Sequence, residues 1–346
     1  MEKAIIASTR KSAGKTSVVL GMSRAMKKKV GYMKPFGDRL IYRKKRLWDY
    51  DTALMTNVFA LDDSPEDMCF GFDHAKLRYM YSDEGIKEKL LESSNKLGKG
   101  KEMLFIEAGK DLMYGTYVHL GALSLAKHTG SKLIVVVSGT NDDIIDDVAF
   151  LKKYLDRSEI NFGGVIINKV GAMDEFKKTY LPKIEELGVE VIGAIPHQEE
   201  LSHFSLNYLS ERLFAKVITG EGNLNRIVKS ILIGAMTVDV PLQKILSQNK
   251  NALMITSGDR SDMILAALER DVEAIILTNN ILPPSNIISK AEDKGVPMLL
   301  VPYDTFQVVK QIDDIEPLLT AGDKDKMDLL AKLAKKNLDL DKVFGK

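Results

Sequence analysis

A single cysteine, Cys69, stands in a chain of 346 residues, so no disulfide can form within it, and a reducing compartment suits its chemistry. An excess of one charge is also missing. Lys and Arg number 49 against 48 Asp and Glu, a formal net charge of +1. That balance gives no strong positive field with which to hold nucleic acid or an anionic membrane surface. No apolar run comes near the ~20 residues that a membrane span requires. The opening, Met1-Glu2-Lys3-Ala4-Ile5-Ile6, has neither the apolar stretch nor the small-residue cleavage site of a secretion signal. Among the histidines, His119 and His128 fall on a predicted helix while His74, His197 and His203 are scattered, and none has metal-ligand spacing to cysteine or an acid. The expectation is a cytoplasmic protein that engages neither nucleic acid nor membrane.

What is present is a rhythm. Short apolar runs rich in β-branched residues occur at Ala4–Ala7, Val30–Met33, Met103–Ile106, Leu133–Val137, Gly164–Ile167 and Val189–Ile195. They alternate with amphipathic stretches at Ser17–Lys29, Thr140–Leu155 and Asp174–Leu187. Buried parallel strands alternating with helices imply an α/β fold: a doubly wound, mostly parallel sheet with right-handed crossovers. Ligands in such sheets sit at the carboxyl ends of the strands. Residues 61–82 carry aromatics without clear periodicity, and residues 92–102 read as a solvated loop. The rhythm pauses at Thr219-Gly220-Glu221-Gly222-Asn223 and resumes with strands at Ala252–Thr256, Ala274–Leu277 and Met298–Val301. The chain therefore divides into a first domain over 1–215 and a smaller α/β domain over 216–346. The second ends in a Lys-rich amphipathic helix, packed on its own domain or on a partner.

The strongest chemical signal is Thr9-Arg10-Lys11-Ser12-Ala13-Gly14-Lys15-Thr16, between the first strand and the first helix. A phosphate must approach backbone N–H groups at a helix N-terminus, which calls for a tight turn of small residues. Ser12, Ala13, Gly14 and Ser17 belong to that cradle; Lys15 is placed to reach the β- and γ-phosphates, and the Thr16 hydroxyl to ligate Mg²⁺. Thr9 stands where the usual P-loop pattern has its first glycine. An acid for the metal is offered by Glu107 at the end of the apolar run Met103–Ile106, and by Asp51 after the second strand. Asp49 and Asp51 are equally the expected N-caps of the helix that follows. Lys34, at the end of the second strand, would face phosphate or a developing negative charge. Asn168-Lys169 opens like a guanine-reading Asn-Lys-x-Asp motif, but Gly171 replaces its acid, which favours adenine. Asn168 as a turn residue is the alternative. Tyr114 and Tyr117 follow Glu107 and either line the pocket or belong to a core.

Together, Ser12-Ala13-Gly14-Lys15-Thr16-Ser17, Tyr32-Met33-Lys34-Pro35, Asp51-Thr52-Ala53-Leu54, Glu107-Ala108-Gly109 and Ile167-Asn168-Lys169 resemble the dethiobiotin synthetase branch of P-loop proteins. The resemblance covers roughly residues 1–210. It implies that Lys15 and Lys34 stabilise phosphate and carbamate charge, and that Asp51 and Glu107 hold Mg²⁺. In the second half, Gly258-Asp259-Arg260-Ser261-Asp262 resembles the module named for Asp-Arg-Thr-Gly-Gly, with both glycines replaced. Ser257, Asp259 and Ser261 are also good helix N-caps there.

The order of the two parts is similar to the N-terminal portion of long bacterial phosphotransacetylases. A chain ending at Lys346 has no further acyltransferase domain, so acetyl transfer is not expected of it. Two functions follow. One is a regulatory or sensory module that binds ATP and Mg²⁺, with the second domain mediating homodimer formation or ligand sensing and a metabolic enzyme as partner. The other is an ATP-dependent ligase or amidoligase that phosphorylates a carboxylate or carbamate; no diaminononanoate-binding pattern is present in 36–48 or 61–82.

Overall fold

All six apolar runs of the first half become strands of one sheet in the computed structural model, which describes residues 1–43, 45–155, 159–234, 251–270 and 272–344. They are β1 (Glu2–Ser8), β2 (Val30–Met33), β5 (Met103–Glu107), β6 (Lys132–Val137), β7 (Phe162–Val170) and β8 (Val191–Pro196); β3 (Leu40–Arg43) and β4 (Arg46–Asp49) form a separate hairpin. The sheet order is β2-β5-β1-β6-β7-β8, parallel throughout. Every residue of β5 is buried, as a run covered on both faces requires. The chain runs out from β1 to β2 on one side and later to β6 on the other. The carboxyl end of β1 is therefore the point where strand order reverses, and the Thr9–Thr16 segment leaves the sheet there.

Helix α1 (Lys15–Met26) follows, and its buried face carries Val18, Val19, Leu20 and Met22. The expected loop over residues 92–102 is largely helix, because the helix Asp83–Gly98 runs through most of it. Ile86, Leu90, Ser94 and Leu97 recur at helical spacing on its buried face, and the serines, polar in the sequence, are small enough to pack. Ser94 accepts a hydrogen bond from Lys3 at 3.0 Å.

The structure divides the chain differently from the expected 1–215 and 216–346. One unit comprises Met1–Gln198 with Leu319–Lys346, the other Glu199–Leu318. The Lys-rich tail thus belongs to the first unit. Its helix Lys324–Asn337 buries Met327, Leu330, Leu333 and Ala334 and packs along α1. A glycine makes the contact close: a Cβ at Gly21 would lie 2.8 Å from the Leu330 carbonyl oxygen. Arg24 pairs with Asp328 at 2.6 Å, and Phe344 meets Phe105 edge-on.

In the second unit, β9 (Phe204–Ser205) pairs with β11 (Ile227–Val228), while β10 (Lys216–Thr219), β12 (Ser230–Ile233), β13 (Ala252–Ser257), β14 (Ala274–Thr278) and β15 (Met298–Leu300) form a sheet of order β10-β15-β14-β13-β12. Only β10 runs antiparallel within that sheet. Among the described residues, no helix is long and apolar enough to cross a membrane.

Candidate nucleotide site

Gly14 caps α1 in the left-handed region, at φ 94 and ψ 28. No side chain caps this helix, and no acid stands in its first turn. The positive end of its dipole therefore faces outward with its N–H groups uncovered by side chains, the arrangement that receives an anion. Thr9 occupies the first-glycine position with its Oγ1 buried and without a partner.

Lys15 is buried, and its ammonium donates to the Ser8 hydroxyl at 3.0 Å and to the Lys110 carbonyl at 2.9 Å. Burial holds its pKa below the usual lysine value. The Thr16 hydroxyl donates to Glu107 Oε1 at 3.0 Å, and the Tyr32 hydroxyl to Glu107 Oε2 at 2.9 Å. The β1–β5 register, Ile6 opposite Glu107, sets this acid beside the start of the loop.

Lys34 is fully buried, and carboxylates surround it: Asp38 and Asp51 at 2.5 Å, Asp49 at 3.7 Å and Glu107 at 3.9 Å. Burial alone would lower its pKa, but the four acids more than offset that and hold it well above the ordinary value. Arg39 also donates to Asp51 at 3.0 Å. Burial pushes Asp51 up, yet Lys34 and Arg39 prevail and its pKa falls to about 2. Glu107 goes the other way: burial lifts it to about 7 against the pull of Lys34, with Asp51 adding to the rise. Four acids therefore face three cations (Lys15, Lys34, Arg39) in this cluster.

The structure resolves the two aspartates that the sequence left open. Asp49 is the N-cap of helix α2 (Tyr50–Phe59): its Oδ1 accepts from the Asp51 and Thr52 backbone N–H groups. Its Oδ2 accepts from the N–H groups of Asp38 and Arg39 at 3.2 and 3.3 Å. Asp49 is thus occupied with backbone, while Asp51, two residues on, points at Lys34. Asn168 lies with the phosphate loop, donating to the Ala13 carbonyl at 2.8 Å, and Lys169 donates to the Ser12 carbonyl at 2.8 Å. Ser17 lies in the first turn of α1.

Sequence reasoning missed Ser8, Tyr32, Asp38, Arg39 and the Lys110 carbonyl. Tyr32 was accessible in principle, because residues two apart on a strand share a face and Lys34 lies two beyond it. Tyr114 stacks on Phe36 at 4.7 Å and donates to the Gly37 carbonyl, with His74 edge-on to both rings. Tyr117 is exposed.

A hydroxyl and carboxylates are hard oxygen donors, which suits Mg²⁺. Thr16 and Glu107, already sharing a hydrogen bond, fit one ion; Asp51 would join them only by releasing part of its contact with Lys34.

In the second unit, the Gly258–Asp262 turn leads into the helix Ser261–Glu269, whose N-cap position is Arg260 with no side-chain cap. Neither Ser257, Asp259 nor Ser261 caps it. Arg260 instead pairs in two-pronged fashion with Asp262, at 3.1 and 3.0 Å.

Comparison with known proteins matches both parts of the chain. A family model described as an AAA domain matches residues 2–205, and one described as a DRTGG domain matches residues 208–315. The phosphate acetyltransferase of Nitratidesulfovibrio vulgaris is 22% identical over 96% of this chain and 50% of its own length. That of Pseudomonas putida is 24% identical over 98% and 51%. The chain therefore spans about half the length of these relatives. The ATP-dependent dethiobiotin synthetase of Nitrosopumilus maritimus is 28% identical over 63% of this chain and 97% of its own. With its phosphate loop at the switch point of a parallel sheet and a second α/β unit after it, the chain belongs to the AAA-domain family of P-loop proteins, in a form that carries a DRTGG domain.

Proposed function

We propose that the first unit binds ATP with Mg²⁺ and that the chain is a regulatory or sensory module related to the part of phosphate acetyltransferase it resembles. The observation that carries the reading is the uncapped N-terminus of α1, with Lys15 and Thr16 in its first turn and Glu107 beside them. The Ala13 and Gly14 peptide N–H groups would cradle phosphate. Lys15, desolvated and held by two neutral oxygens, gains by exchanging a neutral acceptor for a charged one. Thr16 and Glu107, with Asp51, would hold Mg²⁺, which when bound supplies charge neutralisation at the phosphates. Adenine is the expected base, since the acid that would pair with guanine is replaced by Gly171.

Lys34 favours binding over catalysis. Its ammonium is committed to carboxylates on the protein, whereas a ligase would need it to face the substrate. The ligase or amidoligase reading keeps one support, the similarity to a dethiobiotin synthetase over 63% of the chain. A second copy of this chain and a metabolic enzyme are the partners we expect of a sensory module.

Calorimetric titration with ATP and GTP in Mg²⁺, together with phosphate release in the same samples, separates the readings. ATP binding with background phosphate release is expected. Turnover that requires an added carboxylate or carbamate would favour the ligase, and absence of binding by either nucleotide would end both.

A further inference from the structure

A polar cavity of about 290 Å³ shares no residue with the phosphate loop or the Lys34 cluster. One wall is the helix Asp83–Gly98, from which Lys89, Glu92, Ser93 and Lys96 line it. Their spacing, i, i+3, i+4 and i+7, puts them on one helix face. The other wall comes from residues 66–70, and Tyr81 completes the lining.

Some of these groups already answer one another. Glu66 accepts from the Trp48 indole at 2.8 Å and from Arg46. Asp67 accepts from Lys96 at 3.1 Å and from the Ser64 hydroxyl at 3.2 Å. The others are left open. Lys89 comes no nearer to Glu92 than 3.8 Å, too far for a hydrogen bond. Ser93 is 6% exposed, and among the described residues its hydroxyl has no hydrogen-bond partner; nor has that of Tyr81. Buried polar groups are normally paired, because a desolvated and unpaired one costs free energy.

What stays unanswered is one ammonium, one carboxylate and two hydroxyls beside the Phe70 ring. We propose that the cavity binds a free α-amino acid. Its carboxylate takes Lys89 and the Ser93 and Tyr81 hydroxyls, its ammonium takes Glu92, and its side chain lies against Phe70. A zwitterion answers both charges, where a simple anion or cation answers one. The volume falls at the small end of the range for ligand pockets, about 300–1,000 Å³, which suits a metabolite of this size and leaves out a nucleotide. The wall that carries Phe70 is bonded to the Lys34 segment. The Lys34 N–H donates to the Met68 carbonyl at 3.0 Å, the Phe70 N–H to the Pro35 carbonyl at 2.8 Å, and the Gly37 N–H to the Gly71 carbonyl at 3.0 Å. Those three bonds give the cavity a route to Lys34, and through it to Glu107. This last step rests on the nucleotide-binding reading above and names the ligand class that a sensory module of this build senses.

The test is calorimetric titration of the full chain with the proteinogenic L-amino acids taken singly, and with acetate and methylammonium, which carry one charge each. At least one amino acid is expected to bind, and more tightly than either single-charge probe. Ser93→Ala should weaken that binding about tenfold, the worth of one buried hydrogen bond, while the unfolding midpoint of the free protein holds or rises because an unpaired hydroxyl has been removed. Lys89→Met, a change at a half-exposed position that the fold tolerates, should weaken it by about tenfold or more. Absence of binding by every amino acid would overturn the inference, as would undiminished binding by either variant. Acetate binding as tightly as the best amino acid would remove the ammonium contact and overturn it also. In Mg²⁺, the amino acid that binds should change ATP affinity about fivefold or more, with ATP changing its affinity by the same factor; an unchanged ATP affinity would sever the route to Lys34. Failure of the nucleotide reading looks different: the chain would bind the amino acid and no ATP, and the cavity assignment would stand by itself.

Discussion

Each unit has a parallel strand that passes through a short polar turn into a helix, yet the two turns are built on opposite plans. After β1, the helix begins with no acid in its first turn. After β13, Asp262 sits in the first turn and is locked to Arg260, so the dipole and the cation are already answered. The surroundings differ as sharply. Among the described residues, the buried lysines, aspartates and glutamates, Lys15, Lys34, Asp49, Asp51 and Glu107, all belong to the first unit. Burying charge is expensive, and chains do it where the charge is used or where its partners are exact in geometry. A strand-turn-helix is therefore a scaffold common to both units, and only the first loads it with desolvated charge.

The contrast can be broken at its costliest point. Replacing Lys34 by Met leaves Asp38, Asp51 and Glu107 without their shared counter-ion, and the first unit should lose about 3–5 kcal/mol of stability by denaturant unfolding. Added Mg²⁺ should restore part of that loss. A loss under about 1 kcal/mol would mean that the cluster is not held by Lys34.

Acid titration sharpens the same point. Glu107 has its pKa raised to about 7 and Asp49 to about 6, from 4.5 and 3.8. Raised acid pKa values mean that the folded state keeps protons the unfolded state has lost, so their contribution to stability falls as pH climbs from about 4 to 7. Asp51, lowered to about 2, acts oppositely, and its contribution is lost only as pH falls from about 4 through 2. Glu107→Gln should flatten the decline between pH 4.5 and 7; an unchanged slope would remove Glu107 as its source. Metal binding requires the ionised carboxylate, so Mg²⁺-dependent nucleotide affinity should rise over the same interval.

A packing test is smaller in effect. Gly21→Val meets the Leu330 carbonyl, so the Lys324–Asn337 helix must shift, at a cost of about 1–3 kcal/mol by thermal or denaturant unfolding. Least of all, Arg260→Ala in the second unit should change stability by under about 0.5 kcal/mol and leave nucleotide affinity unaltered in a calorimetric titration, since its pair with Asp262 lies at the surface. A large loss of binding there would erase the distinction between the two turns.

How much of this was legible from the chain follows the length scale of the signal. The strands of the main sheet stand out because a strand buried on both faces must be continuously apolar, and Met103–Glu107 is an instance. Lys15, Thr16 and Glu107 are legible because each lies at the end of such a strand or in the turn after it. The hairpin β3–β4 was not, since Leu40, Tyr42 and Leu47 are exposed and no apolar alternation marks it. The partners of Lys34 were hidden for a related reason. Asp38 precedes that hairpin, Asp49 ends it and Asp51 follows it, and nothing in local spacing says that its two ends close on Lys34. The placement of Asn168 depends on neighbours 155 residues away in sequence, where no periodicity reaches.

The most direct measurement is ATP binding in the presence of Mg²⁺ by the unsubstituted chain and by Lys15→Ala, followed calorimetrically. Loss of the ammonium–phosphate contact should weaken binding by roughly 100-fold or more, while the unfolding midpoint changes little. Equal affinity in the two proteins, or no ATP binding by the unsubstituted chain, would contradict the assignment of residues 9–16 as the phosphate site.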